Sequence, residues 1–338
     1  MLNKSSLVVF DSKEKTPTDY SDVAFWQSYN LIDSRTNISI PRLVEEDSDA
    51  LRSTYLSLIY DLGETKINKK RVIDILEICP GFSFWSMSLL VESNYAASPQ
   101  INNIIKLMAF KNWFNNKKYN HIRLVSSNEQ LAKAMQLLST DLSISFKWEK
   151  VEKKIDRISI IRQIYNKLPF TIRPILWLVR YLFFRWPLKG VGLDEWRKTP
   201  SKITFVSKLS NLVPKSIKKG EFESRLWTSL PNMLKDSTTN WLHLYISSSE
   251  LPNAKTARDI IKKFNKTYDG VQVHTTLDSF LSIERIYVVL KYYYKLKSKQ
   301  KFLQSFLEIT AGIYWPLLAK DYKDSMSGNV AISNLLDL

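Results

Sequence analysis

From His121 onward the chain alternates between two periodicities, and this restricts the fold more than any other feature. His121-Ile122-Arg123-Leu124-Val125-Ser126 reads as a strand, Asn128 to Leu138 as a helix, and Ile144 and Phe146 mark the next short strand. That is a β-α-β unit. Further strand candidates are Ile203–Ser207, Trp241–Ser247 and Val271–His274, with helical patterns near 221–236, 253–267 and 278–297. Strands that alternate with helices belong to an α/β class with a mainly parallel sheet, because parallel neighbours need a crossover between them.

The part before His121 reads differently. Residues 11–41 are polar, contain Pro17 and Pro41, and look loop-rich. Ser48 or Asp49 can cap a helix in which Leu51, Tyr55, Leu58, Ile59 and Leu62 recur at helical spacing, with Gly63 as its stop. A second short helix is expected over 68–78. Ser98-Pro99 then opens a helix whose buried face is Ile101, Ile104, Ile105, Met108 and Trp113. The apolar run Leu7–Phe10 is too short for a signal-peptide core, and no small-residue cleavage site follows. The single cysteine, Cys79, allows no intrachain disulfide. Both points favour a cytoplasmic location. The tail Asp324–Leu338 reads as poorly structured.

Charge is concentrated in one place. Residues 1–146 hold 16 basic and 16 acidic side chains, whereas 147–220 hold 18 and 5. Such a surface calls for an anionic partner. Residues 151–168 place Val151, Ile155, Ile158, Ile161, Ile164, Tyr165 and Leu168 on one helical stripe. The run Arg173 to Lys189 follows, with Trp177, Tyr181, Phe184 and Trp186 set among Arg180 and Arg185. A span needs ~20 mostly apolar residues, and here Pro174, Arg180, Arg185 and Pro187 interrupt the run. An interfacial helix fits better, with rings at the headgroup boundary and cations reaching phosphates. The membrane-binding set is then Arg173, Trp177, Arg180, Tyr181, Phe184, Arg185, Trp186 and Lys189. A buried helix pair with peripheral salt bridges is the competing reading. Nucleic acid is disfavoured, because the apolar residues come in long blocks and no recognition motif accompanies them.

Common catalytic signatures are absent. There is no Gly-x-Gly-x-x-Gly, no phosphate loop and no Gly-x-Ser-x-Gly elbow, and His121, His243, His274 and Cys79 are too scattered to suggest a metal site. Asp47-Ser48-Asp49 matches an Asp-x-Asp pattern but sits at a helix start, where acids meet the helix dipole. Glu92 follows an apolar run. A carboxylate held against such a wall has a raised pKa and can act as a general base, although a loop anchor is an equal reading. Ser126, Ser127, Ser207 and Ser247 close strands, where open α/β sheets bind ligands. His274 and Asp278 form another polar pair near a strand end, and a structural histidine is the alternative there.

Several stretches together resemble a family of bacterial surface-carbohydrate (O-antigen-type) biosynthesis proteins. They are Ile40-Pro41-Arg42-Leu43-Val44-Glu45-Glu46 leading to Tyr60-Asp61-Leu62-Gly63-Glu64, then Phe84-Trp85-Ser86-Met87-Ser88-Leu89-Leu90-Val91-Glu92-Ser93 with Ser98-Pro99. Arg185-Trp186-Pro187-Leu188 follows. The last are Ile203-Thr204-Phe205, Trp227-Thr228-Ser229-Leu230-Pro231, Asn240-Trp241-Leu242-His243, and His274 through Asp278-Ser279-Phe280-Leu281. The resemblance covers roughly residues 38–300. It implies a GT-B-like glycosyltransferase, in which two Rossmann-like domains bind acceptor and nucleotide-sugar.

On that reading residues 1–118 are a helical region packed on the sheet domain. Residues 119–300 are a Rossmann-like domain with a helical insertion at 151–190, and 301–338 are a C-terminal helix and tail. Family members are longer, so the resemblance implies a donor half absent or incomplete here, either because the reading frame is truncated or because a partner chain supplies it. The implied substrates are a nucleotide-sugar donor and a lipid-linked glycan at the inner face of the cytoplasmic membrane, with no metal. Glu92 is the expected base. Trp85, Ser86, Ser93, Asn94, Ser126, Ser127, Ser207, His274 and Asp278 are the expected sugar-binding residues. A non-catalytic membrane adaptor of the same pathway is the alternative.

Overall fold

The short apolar run near the N-terminus is the centre of a sheet. In a computed structural model that describes residues 6–12, 22–29, 36–96, 98, 100–152, 172–234 and 236–336, Ser6–Asp11 forms strand β1. Strands β2 (Asp22–Phe25), β3 (Thr36–Ser39), β4 (His121–Ser126) and β5 (Ser145–Lys150) join it in the order β3-β2-β1-β4-β5, every pair parallel. Leu7 to Phe10 are buried on both faces of β1, which explains the unbroken apolar run. At the edge of the described strands, β5 alternates half-buried Phe146 and Trp148 with exposed Ser145, Lys147 and Glu149. The expected loop over 11–41 thus contains two strands. Each is four residues long between polar segments, too short for periodicity to reveal.

The helices that accompany this sheet include α1 (Ile40–Glu46), α2 (Ser48–Glu64), α3 (Leu89–Glu92), α4 (Gln100–Phe114) and α5 (Glu129–Asp141). Local chemistry sets their starts. Ser39 Oγ accepts the Arg42 amide at 3.3 Å, with Pro41 in the first turn of α1. Asn128 caps α5 by accepting the amides of Gln130 and Leu131. The α2 face buries Leu51, Tyr55, Ile59 and Leu62, and α4 buries Ile101, Ile104, Leu107, Met108 and Phe110. Trp113 is only half-buried, packed with Phe110, Phe114 and Tyr119. Ser98 does not cap α4; its hydroxyl donates to Asp321.

A second sheet is separate. Strands β6 (Thr204–Leu209), β7 (Thr239–Tyr245) and β8 (Gln272–Thr276) run parallel in sequence order. Helix α6 (Arg173–Arg185) precedes them, and α7 (Ala254–Tyr268) connects β7 to β8 with Ala257, Ile261 and Phe264 inward. Phe222, Trp241, Leu209 and Leu251 complete that core. The chain divides into one compact unit of residues 1–167 with 294–330 and another of 168–293 with 331–338. The strands between 121 and 276, read from sequence as one domain, therefore belong to two sheets. The expected helix over 151–168 lies almost wholly outside the described residues.

The C-terminal segment is helical: α8 (Ile283–Ala311), α9 (Trp315–Ser325) and α10 (Gly328–Leu336). In the first unit α9 packs on α3, α4 and α5, with Leu317, Leu318 and Tyr322 buried. The expected unstructured tail is a helix because Ala331, Ile332, Leu335 and Leu336 recur one turn apart and are buried.

Candidate functional site

Strand β1 lies between β2 and β4, so the chain leaves the first sheet in opposite directions from its centre. In open α/β sheets such a switch point opens a crevice beyond the carboxyl strand ends. Asp11 ends β1 and Ser126 ends β4. Ser126 Oγ donates to Asp11 Oδ2 at 2.6 Å and accepts the Asn128 amide at 2.9 Å. Gln27 Nε2 donates to Asp11 Oδ1 at 2.8 Å, and Lys106 Nζ donates to Gln27 Oε1 at 2.8 Å. Burial pulls the Lys106 ammonium below the usual lysine range, against an opposing effect of Asp11.

Lys106 also borders a cleft of about 700 Å3, with Tyr29, Glu45, Asp49, Arg52, Tyr55, Ser93 and Tyr95 among its walls. That volume suits a small-molecule ligand. Tyr29 donates to Glu45 at 2.7 Å. Tyr55 is buried, and desolvation pushes its phenol up to about 12, so it acts as a neutral donor or acceptor.

The predicted residues distribute unevenly around this cleft. Ser93 lines it, held in a left-handed turn that ends α3. Ser126 is at the switch point but fully buried against Asp11, with half-buried Ser127 next to it. Glu92 does not sit against an apolar wall. The single turn of α3 directs Leu90 inward and leaves Glu92 exposed, where it accepts the Asn94 amide at 3.1 Å. Trp85 is a core residue at 7% exposure. It packs so tightly on α2 that a Cβ at Gly63 would lie 2.7 Å from the indole nitrogen. Its neighbour Ser86 is exposed. Sequence reasoning missed Asp11, Gln27 and Lys106. The available signal was an aspartate closing a four-residue apolar run.

In the second unit the predicted sugar ligands Ser207, His274 and Asp278 are buried and have partners within the protein. Ser207 is buried and accepts the Trp227 indole at 2.6 Å. His274 has no exposure. Its Nδ1 lies 3.0 Å from His243 Nε2, the two rings are nearly coplanar with centres 5.3 Å apart, and Phe222 and Phe264 border it. Desolvation holds both imidazoles below their usual range, His243 at about 3, so the pair is neutral. Asp278 does not pair with His274. It accepts the Tyr181 hydroxyl at 2.6 Å and Arg185 Nη1 at 2.9 Å, and the same Arg185 nitrogen donates to the Tyr245 carbonyl at 2.8 Å.

Those bonds reassign part of the expected membrane set. Arg185 and Tyr181 turn toward Asp278, on the side of α6 that also buries Pro174 and Leu178. The opposite side is apolar and outward: Ile175, Leu176 and Val179 are exposed, Phe183 is 77% exposed, and Trp186 follows just beyond the helix. Phe184 and Arg180 are exposed along the border, with the guanidinium 5.8 Å from the Phe184 ring centre. Lys189 lies 4.5 Å from the Trp186 ring. Arg173 is half-exposed on the same border, and Trp177 stacks on Tyr181 at 5.1 Å. Among the described residues no helix is long and apolar enough to cross a membrane. Comparison with family models, curated proteins and solved structures finds no match; the chain is defined by an α/β architecture with a five-stranded parallel sheet and a second, three-stranded one.

Proposed function

We propose that this protein handles a lipid-linked glycan at an anionic membrane surface, as a GT-B-like glycosyl-transfer protein of surface-polysaccharide assembly. The observation that carries the reading is the outward face of α6, where Ile175, Leu176, Val179 and Phe183 are exposed together and Arg173, Arg180 and Lys189 border them. An apolar face of this kind seeks interfacial lipid, and each basic residue near an anionic leaflet adds about 1 kcal/mol of attraction. The sugar side rests on the family resemblance and on the cleft beside the β1–β4 switch point. Transfer requires the acceptor hydroxyl to give its proton to a base as its oxygen attacks the anomeric carbon and the nucleotide leaves with the bonding pair. We assign that role to Asp11, which Ser126 and Gln27 orient and which Gln27 links to Lys106 at the cleft wall.

The non-catalytic adaptor is the second reading, favoured by the position of Glu92 outside the cleft. Two measurements decide between them: sedimentation with vesicles of phosphatidylcholine and phosphatidylglycerol, and calorimetry against a panel of nucleotide-sugars. Binding to both supports glycosyl transfer, and vesicle binding alone supports the adaptor. No vesicle binding at any salt concentration overturns the membrane assignment.

A further inference from the structure

On one flank of α6 lies a pocket of about 360 Å3 lined by Trp177, Arg180, Tyr181, Phe184 and Arg185. At about 100° per residue these positions fall in the sector next to the exposed apolar face, between it and the buried side. The walls are aromatic, with Trp177 stacked on Tyr181 and Phe184 under the Arg180 guanidinium. The two cations differ. Arg185 is fixed by Asp278 and the Tyr245 carbonyl and lies 4.5 Å from the Tyr245 ring centre. Its charge is balanced by Asp278. Arg180 is exposed and has no carboxylate within ion-pair distance among the described residues.

We propose that this pocket seats the phosphodiester headgroup of an anionic phospholipid, with Arg180 as the contacting residue. The inference rests on the membrane reading above and adds the chemistry of the partner. Two arginines and one aspartate leave a single positive charge, which matches a monoanionic phosphodiester. A guanidinium presents its donors in a planar fork that fits two phosphate oxygens, whereas an ammonium is a point charge. The height is also right. When the apolar face of an interfacial helix enters the acyl boundary, its flanks lie at headgroup level.

The test is sedimentation of the full chain with vesicles of phosphatidylcholine alone and of phosphatidylcholine with phosphatidylglycerol. The forms compared are wild type, Arg180→Gln, Arg180→Lys, Phe183→Ser and the exposed control Lys202→Gln, each first shown to share the wild-type circular dichroism. The expected result is a preference for phosphatidylglycerol that falls about fivefold in Arg180→Gln. Arg180→Lys does not restore it, and Lys202→Gln changes it less. Phe183→Ser loses binding to both vesicles. If Arg180→Lys matches wild type, diffuse charge explains the attraction and the pocket is overturned. If Phe183→Ser fails to bind while Arg180→Gln keeps the full preference, the pocket alone falls. If wild type binds neither vesicle, the membrane reading falls as well.

Discussion

Replacement of Asp278 by alanine should destabilise the second unit by about 3 kcal/mol, and two hydrogen bonds set that magnitude. Asp278 is buried and accepts from Tyr181 at 2.6 Å and from Arg185 at 2.9 Å, both bonds charge-assisted. Bonds of that kind contribute roughly 1.5–3 kcal/mol each, and the lower end applies because the Arg185 side chain keeps a quarter of its exposure. Much of the loss is the cost of leaving the Arg185 guanidinium without its counter-charge. Arg185→Met should therefore cost about 2 kcal/mol by itself, and the double variant should cost less than the sum by about 1–2 kcal/mol. Amide hydrogen exchange in β7 and β8 reads this unit directly, so it is a better readout than one melting temperature for the whole chain. Additive effects, or an Arg185→Met variant within about 0.5 kcal/mol of wild type, would show that Arg185 faces outward and that the inward network is wrong.

Three further outcomes follow from buried groups. Burial raises the Asp321 carboxyl above its usual range, with a hydrogen bond from Ser98 opposing the shift. The folded state thus holds that proton more tightly than the unfolded chain, and this contribution is lost as pH rises through the folded value. Asp321→Asn should gain stability relative to wild type at neutral pH and lose the advantage in acid, measured by thermal unfolding across pH. His243 is held at about 3 against an unfolded 6.5 and His274 shifts the same way, so the second unit should weaken as pH falls from 6.5 toward 3. A His243→Leu/His274→Leu chain should show a shallower decline by amide exchange, and an identical slope would exclude these imidazoles as the cause. Trp85→Ala should destabilise the first unit by about 3–5 kcal/mol, the cost of a large core cavity. It should leave any sugar binding unchanged in calorimetry once folding is confirmed, whereas loss of binding with intact stability would return Trp85 to the site.

The α/β class was legible because β4, α5 and β5 carry complete periodic patterns. The N-terminal half of the same sheet was not. Leu7–Phe10 is apolar on both faces, so it has no alternation, and β2 and β3 are too short to show any. Missing β1 also hid the switch point and Asp11 with it. On α6, the sequence displayed the cations and rings but not their directions. Arg180 and Arg185 look alike along the chain, and only the position of Asp278, 93 residues beyond Arg185, separates the anchored arginine from the exposed one. His274 and Ser207 were placed correctly near strands, but their burial depends on Phe222 and Trp227, which come from a segment without regular periodicity.

The most direct measurement uses one environment-sensitive label. In a Cys79→Ser/Val179→Cys chain, which keeps Phe183, the new thiol is the single cysteine and stands on the exposed α6 face. Labelled there with a nitrobenzoxadiazole fluorophore and mixed with phosphatidylglycerol vesicles, the protein should show a blue-shifted, stronger emission, and the same label at Lys202→Cys should not. An emission from position 179 that stays at its aqueous value with vesicles in excess would contradict lipid contact by this helix.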